Sequence, residues 1–193
     1  MIRIEPVRGF PNLIGVDDAP FAKAHRGDVP LVGAVYASDR LDGVLIGKAR
    51  RDGRNGAAQL ARMIRGSRFD DHIGCVLLQG ITVAGFNVVD LAALHETLER
   101  PILVVTRKAP NLRTIRRALL AKVPGGARKW KLIEAAGPME PCGALFIQRV
   151  GLSAAKAAAT LELHTRHGLL PEPLRVAHLL AAAHVRGHSH GNA

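Results

Sequence analysis

Aromatic side chains are scarce in this chain. Its 193 residues include five Phe, one Tyr and one Trp. Proteins that hold single-stranded nucleic acid without sequence preference stack successive bases on several aromatic side chains. The composition therefore argues against a base-stacking platform as the main binding device of this protein.

Cysteine and long apolar runs are also nearly missing. The only cysteines, Cys75 and Cys142, lie far apart, which predicts two reduced thiols rather than a disulfide framework. No apolar run approaches the roughly 20 residues that a membrane span needs, and the first six residues lack the apolar stretch of a signal peptide. We therefore expect a cytoplasmic protein with no membrane segment.

Positive charge, in contrast, is in excess. The chain has 27 Lys and Arg against 16 Asp and Glu, which gives a formal net charge of +11 at pH 7. Such an excess favours contact with polyanions, and nucleic acid is the first candidate. The alternative is that the chain is basic because all proteins of its source proteome tend to be basic, whatever their function. Net charge reports on association and not on fold.

Apolar periodicity and turn residues predict an α/β fold. The predicted strands cover 13–16, 29–36, 41–49, 73–78, 101–106 and 145–150, and the predicted helices cover 55–66, 88–98, 111–122, 130–136, 153–168 and a last one from 171. Three strands followed by alternating helices and strands indicate a mixed sheet covered by helices, with the second and third strands as a hairpin. We expect a single domain over 1–187 and a flexible tail over 188–193.

Two acids end the first predicted strand. A carboxylate such as Asp17 or Asp18 at the carboxyl end of a central strand is well placed to hold a divalent ion or a substrate. Asp is also a favoured turn residue, so the pair could simply form the turn before Pro20. Local pattern leaves both interpretations open.

A loop flanked by glycines follows the fourth strand, from Gln79 to Asn87. Open α/β sheets place their sites at such loops. The loop has neither a G-x-G-x-x-G nor a Walker pattern, so no motif supports nucleotide binding there. The glycines could instead serve only to permit tight turns.

One histidine faces inward on the last predicted helix. His178 shares its helical face with Leu174 and Ala181. It could be a ligand or a proton carrier in a cleft, or a core-edge histidine bonded to backbone.

Three arginines share one side of the helix over 111–122, namely Arg113, Arg116 and Arg117. They predict a surface that follows nucleic-acid phosphates. A solvated face of an amphipathic helix is the alternative.

Four short sequence motifs, referred to as words, together resemble those of one family. They are the words Gly15–Phe21, Leu41–Val44, Gly80–Asp90 and Leu170–His178. The chain resembles the mostly archaeal family catalogued as domain of unknown function ninety-nine, which is related to endonuclease V in the ribonuclease H-like superfamily. The resemblance implies a ribonuclease H-like mixed five-stranded sheet flanked by helices, with a C-terminal strand and helical extension. It also implies first and fourth strands side by side, whose carboxyl ends hold Mg²⁺ or Mn²⁺.

The resemblance assigns roles to particular residues. Asp17 matches the first metal-binding aspartate of endonuclease V, and His178 matches a histidine of its C-terminal site word, so both are expected to be catalytic. The wider cleft is expected to include Asp18, Asn55, Gln79, Gly80, Asn87, Glu172 and Arg175.

Two of these cleft positions depart from the family pattern. Gln79 and Asn55 are amides where acids are expected, and the Pro-Tyr-Ile-Pro wedge of endonuclease V has no counterpart. Because Mg²⁺ prefers anionic oxygen ligands, the metal site is expected to be weak.

These observations support three hypotheses. The first is a nucleic-acid-binding protein whose nuclease site is weakened or inactive. The second is an active Mg²⁺- or Mn²⁺-dependent endonuclease on deaminated DNA or RNA, with Asp18, Asp42 or Asp52 as replacement acids. The third is a non-catalytic, partner-binding module. The sequence gives no indication of the oligomeric state.

Overall fold

A computed structural model describes residues 7–189. The predicted tail over 188–193 lies mostly outside these residues, and the single domain over 1–187 stays a prediction. Within the described part, no helix combines the length and the apolar character required to span a bilayer. Both cysteines are free thiols, and Cys75 is buried.

The strands of the described chain fall into a large sheet and a small hairpin. They are β1 (Asn12–Asp18), β2 (Asp28–Ala37), β3 (Arg40–Arg50), β4 (Val76–Gln79), β5 (Thr82–Val83), β6 (Asn87–Val88), β7 (Ile102–Thr106), β8 (Glu140–Cys142) and β9 (Leu145–Val150). The helices are α1 (Gly56–Arg65), α2 (Leu91–Leu98), α3 (Leu112–Lys122), α4 (Gly126–Ala135), α5 (Ala154–His164) and α6 (Glu172–Arg186), with a 3₁₀ turn at Asp70–His72.

The large sheet is mixed and has seven strands in the order β3-β2-β1-β4-β7-β9-β8. Strand β1 is parallel to β4, and β4 is parallel to β7, while the other pairs are antiparallel. The predicted hairpin of β2 and β3 is confirmed, as is the adjacency of β1 and β4. The predicted count of five strands is wrong, because β9 joins the sheet beside β7 and the short strand β8 adds to its edge.

Helices cover both faces of the sheet. On one face, Ile14, Val16 and Leu78 pack with apolar residues of α1 and α2. On the other face, Leu13 and Leu77 pack with apolar residues of α5 and α6. Successive side chains of a strand point to opposite faces, so β1 and β4 carry continuous apolar runs before their polar ends because both of their faces are buried.

Several predicted boundaries shift for identifiable reasons. The helix predicted from Val88 begins at Leu91, because Val88 pairs with Thr82 in the small hairpin. Asp90 ends the hairpin segment and caps α2, since its carboxylate accepts the Ala93 N–H at 3.0 Å. The helix predicted to reach residue 168 ends at His164.

Helix α6 lies directly on β1. A Cβ atom at Gly15 would come within 2.4 Å of the carbonyl carbon of Pro173. Only glycine therefore allows the helix backbone to approach the strand this closely. The contact fixes the start of α6 against the middle of β1 and places the next turns of the helix near the carboxyl end of the strand.

Candidate functional site

An aspartate and a histidine meet at the carboxyl end of β1. Nδ1 of His178 on α6 lies 2.7 Å from Oδ2 of Asp17, whose side chain is buried. The second carboxylate oxygen of Asp17 accepts the backbone N–H of Asp18 at 3.0 Å. The histidine therefore faces a polar cluster, and its predicted catalytic role stays a prediction.

The Asp17 carboxylate changes the proton affinity of His178. The hydrogen bond to Asp17 raises the pKa of His178 above its ordinary value, while partial burial and the positive charges of Arg107 and Arg186 oppose the rise. The protonated imidazole is thus favoured over a wider pH range. Arg107 and Arg186 also bring positive charge to the site, and sequence reasoning did not assign them to it. The available signal was the position of Arg107, directly after a buried strand.

Asp18 lies on the opposite face of β1 from Asp17, because successive strand side chains alternate. Burial raises the pKa of Asp18 to about 6, and the neighbouring charge of Asp17 adds to the rise. A hydrogen bond from the backbone of Ala84 opposes it. Asp18 therefore carries its negative charge at an energetic cost near neutral pH.

Gln79 ends β4, the strand beside β1. The parallel register pairs Val16 with Leu78, so Asp17 and Gln79 follow at the next position and share a face of the sheet, with strands about 4.8 Å apart. Oε1 of Gln79 is buried and has no hydrogen-bond partner within the described residues. A buried acceptor without a donor is costly, so a donor or cation that reached this oxygen would relieve that cost.

Gly80 follows Gln79 and turns the chain away from the sheet. Its φ is +85°, which favours glycine, and a Cβ atom there would meet no atom within 4 Å. The loop therefore opens space next to the end of β4.

Asn55 and Asn87 have structural partners rather than an open position. Oδ1 of Asn55 accepts the Arg50 N–H at 3.1 Å and an amide hydrogen of Asn87 at 2.8 Å. Asn87 is fully buried, and its Oδ1 accepts the N–H of Gly56 at the start of α1. The predicted N-cap position of Asn55 is correct, but the neighbouring Asn87 supplies the capping oxygen.

Glu172 and Arg175 are not brought to the Asp17–His178 cluster. They bind each other through Arg175 Nη2 and Glu172 Oε2 at 2.6 Å, and Glu172 lines a small cavity with Tyr36. Tyr36 pairs with Leu13, four residues before Asp17 on β1, a distance of about 13 Å at 3.3 Å per residue. The charged ends of the pair lie near the opposite end of β1.

The predicted phosphate-binding arginines are exposed. Arg113, Arg116 and Arg117 lie on the solvent side of α3, and the guanidinium of Arg116 stacks 5.7 Å from the centre of the Trp130 ring. Helix α3 begins a few residues after the carboxyl end of β7. The start of α3 therefore lies near the sheet edge at which β1 and β4 end.

A resident metal ion would find few anionic ligands here. Between residues 7 and 189, no group of three or more His, Cys, Asp or Glu side chains is arranged to hold a metal. The oxygen donors at this edge are Asp17, Asp18 and the unpartnered Gln79 amide. This set fits a hard divalent cation only weakly, because it offers two charges from opposite faces of β1.

Comparison with known proteins agrees with the fold. A UPF0215 protein of Deinococcus radiodurans is 54% identical over 187 residues, which are 95% of each chain. The crystal structure of a protein of unknown function from Archaeoglobus fulgidus has a TM-score of 0.84 and 30% identity, covering 91% of this chain and 99% of that one. Endonuclease V of Ciona intestinalis, in complex with a 24-mer DNA containing an inosine followed by a ribo-adenosine, has a TM-score of 0.54 and 11% identity, covering 89% and 87%.

The fold is therefore that of an endonuclease V-like α/β domain. The family model of Endonuclease dU matches residues 11–185, and the chain belongs to that family. The predicted relation to endonuclease V is confirmed at the level of the fold.

The raised pKa of Asp18 predicts that Asp18→Asn stabilises the protein at neutral and alkaline pH. Above pH 6 the ionised carboxylate of Asp18 lowers the free energy of unfolding of wild type. The amide oxygen of the Asn variant carries no charge and still accepts the Ala84 N–H. We expect the free energy of unfolding to rise by about 1–3 kcal/mol at pH 8. The gain should shrink as the pH falls from 6 toward 3.8, where both folded and unfolded wild type become protonated.

Urea denaturation at pH 4, 6 and 8 measures this difference. Asp71→Asn, at an exposed position, is the matched control and should leave stability unchanged. A loss of stability in Asp18→Asn at pH 8 would contradict the assigned electrostatic cost.

Proposed function

We propose that this protein is an endonuclease V-like nucleic-acid-binding domain whose divalent-metal site is weakened. The hydrogen bond between Asp17 and His178 at the carboxyl end of β1 carries this proposal. It joins two residues that are 161 positions apart in the chain and that both match site words of the related family. Gln79 stands beside them as a neutral group with an unused oxygen.

The charges around the pair suit a polyanionic strand. Arg107 and Arg186 act on His178 from nearby. Helix α3, which carries the three exposed arginines, begins a few residues after Arg107. A phosphodiester backbone provides the complementary charge, and its binding releases counterions. The buried Asp17 holds the imidazole of His178 in place, so the protonated ring can face a phosphate oxygen.

The amide at position 79 supports the weakened metal site. Mg²⁺ or Mn²⁺, when bound by Asp17 and Gln79, would supply Lewis acidity toward a phosphate oxygen or a water. A carboxylate in place of the amide would add about 4 kcal/mol of attraction at ~4 Å for an effective dielectric of 20, before solvation is discounted. The neutral amide would therefore give the site a low affinity for Mg²⁺ or Mn²⁺ within the same fold.

Restoring a carboxylate tests the metal site. Gln79→Glu keeps the shape of the side chain and adds one negative charge, so we expect Mn²⁺ to bind at least about tenfold more tightly than to wild type. Isothermal titration calorimetry measures the affinity. Gln59→Glu on α1 adds the same charge away from the edge and should leave it unchanged. Equal Mn²⁺ affinity in Gln79→Glu and wild type would contradict the placement of a metal beside Gln79.

The arginine surface gives a separate prediction about nucleic acid. Removing Arg113, Arg116 and Arg117 together by substitution with alanine should weaken duplex binding and flatten its salt dependence. With about 0.9 counterions released per phosphate contact, the slope of log affinity against log salt should fall by about 2–3. Fluorescence anisotropy across a potassium chloride series measures both quantities.

The matched control removes the same charge elsewhere. The control is a triple alanine variant at Arg8, Arg62 and Arg68, which are also exposed. The salt dependence of its duplex affinity should have nearly the slope of wild type. If the slope of log affinity against log salt falls by the same amount in both triple variants, the α3 surface has no special role. Failure of wild type to bind at low salt would defeat the nucleic-acid proposal altogether.

Membership of the Endonuclease dU family favours a second candidate, an active metal-dependent endonuclease on DNA that contains a deaminated base. We then expect Mn²⁺-dependent cleavage of a strand containing deoxyuridine, tested beside inosine-containing and undamaged strands. Asp17→Ala should abolish cleavage, whereas Asp71→Ala, at an exposed acid, should retain it. Cleavage that persists in Asp17→Ala would come from another enzyme in the preparation.

A further inference from the structure

A second cavity lies outside the Asp17–His178 cluster. It has a volume of about 370 Å³ and is bounded by the turn after β3, the small hairpin and the connection from α3 to α4. This volume is within the usual range of small-ligand pockets, roughly 300–1,000 Å³. The cavity is therefore large enough for a nucleotide-sized ligand.

Three helices begin at the wall of this cavity. Ala57 belongs to the first turn of α1, Asp90 is the N-cap of α2, and Gly125 is the N-cap of α4, and all three line the cavity. The N-terminus of a helix carries a partial positive charge and N–H groups that no carbonyl of the helix accepts. None of the three helices has an acid within its first turn.

Three basic side chains line the same cavity, namely Arg54, Arg128 and Lys129. Lys129 is buried, with 5% of its surface exposed, and its Nζ donates to the backbone carbonyl of Asp52 at 2.5 Å. None of the three forms an ion pair within residues 7–189. An ammonium group has three donors, so the hydrogen bond to Asp52 leaves capacity for a ligand.

The two acids of the cavity are already engaged. Oδ1 of Asp52 accepts the Phe86 N–H at 2.8 Å, and Oδ2 lies 3.1 Å from Arg51 Nε. The carboxylate of Asp90 caps α2 through Ala93. The basic side chains and the N-termini of α1 and α4 therefore present an excess of positive charge that these acids do not neutralise.

We propose that this cavity binds a phosphorylated nucleotide. The phosphate would be held by Arg54, Arg128 and Lys129, where the helix N-termini also favour an anion. Val88 and Leu132 provide apolar wall for the sugar or base. The phosphate assignment stands on the charge of the cavity alone, while the nucleoside assignment rests on the proposed function.

The cavity is connected to the candidate site through one residue. The carbonyl of Ala84 accepts the N–H of Asp52 at 2.9 Å, and the backbone of Ala84 also hydrogen-bonds to Asp18. The backbone of Ala84 thus links Asp52, which lines the cavity, to Asp18 at the end of β1. The ligand is either a free nucleotide or the phosphorylated end of a bound strand, since both present the same chemical group.

Calorimetry without added metal tests the proposal separately from the metal site. Deoxyuridine 5′-monophosphate should bind more tightly than either deoxyuridine or inorganic phosphate. Arg54→Ala and Arg128→Ala should each weaken it roughly tenfold, the effect of losing a charge-assisted hydrogen bond. Arg62→Ala removes an exposed arginine of α1 outside the cavity and should leave nucleotide affinity unchanged.

The other outcomes overturn the assignment. Equal binding of nucleotide and nucleoside would remove the phosphate site, equal binding of nucleotide and inorganic phosphate would remove the nucleoside contact, and no binding would remove both. A nucleotide that fails to bind while duplex binding still depends on the α3 arginines would defeat this inference and leave the proposed function standing.

Short oligonucleotides distinguish a free nucleotide from the phosphorylated end of a bound strand as the occupant of the cavity. If the cavity takes a strand end, a 5′-phosphorylated strand should bind more tightly than its 5′-hydroxyl counterpart, and Arg54→Ala should abolish that difference. If both strands bind equally while the mononucleotide still binds, the occupant is the free nucleotide.

Discussion

The parallel pairing of β1 with β4 is the constraint on which the candidate site depends. Because parallel neighbours end at the same edge, residues more than 60 positions apart in sequence, Asp17 and Gln79, reach adjacent positions of the sheet. The packing of α6 on Gly15 then determines where His178 stands. A strand pair and a helix–strand contact thus create a polar cluster at the edge of an otherwise apolar sheet.

Electrostatic balance distinguishes the end of β1 from the second cavity, which is lined by Arg54, Arg128 and Lys129. At the end of β1 two neighbouring acids are confined by burial, so Asp18 is held close to protonation. In the second cavity basic side chains and helix N-termini gather, and the acids present are engaged by backbone N–H groups. The end of β1 therefore combines buried acids with nearby positive charge, whereas the second cavity favours anions. The backbone of Ala84 hydrogen-bonds to Asp18 on one side and to Asp52 on the other.

The sequence predicted most elements but not their ends or their neighbours. Continuous apolar runs identified β4 and β7 because each is buried on both faces. Val88 has the spacing of a helix, yet it pairs across a two-residue strand, since a short hairpin has too few residues to show a period of two. Strand β8 was not predicted, because its three residues are also too few to show a period of two. It belongs to the sheet through its pairing with β9.

The sequence by itself determined the apolar strands, the helix cap at Ser153, the excess of positive charge, and the residue types available for chemistry. These follow from local chemistry, because period, capping and charge depend on residues close together in the chain. Only the tertiary structure decided which polar residues meet. It joined Asp17 to His178 and committed Asn55 to a bond with Asn87. Such partnerships depend on strand order and helix placement, and burial then forces each polar atom to find a partner or to remain open to a ligand.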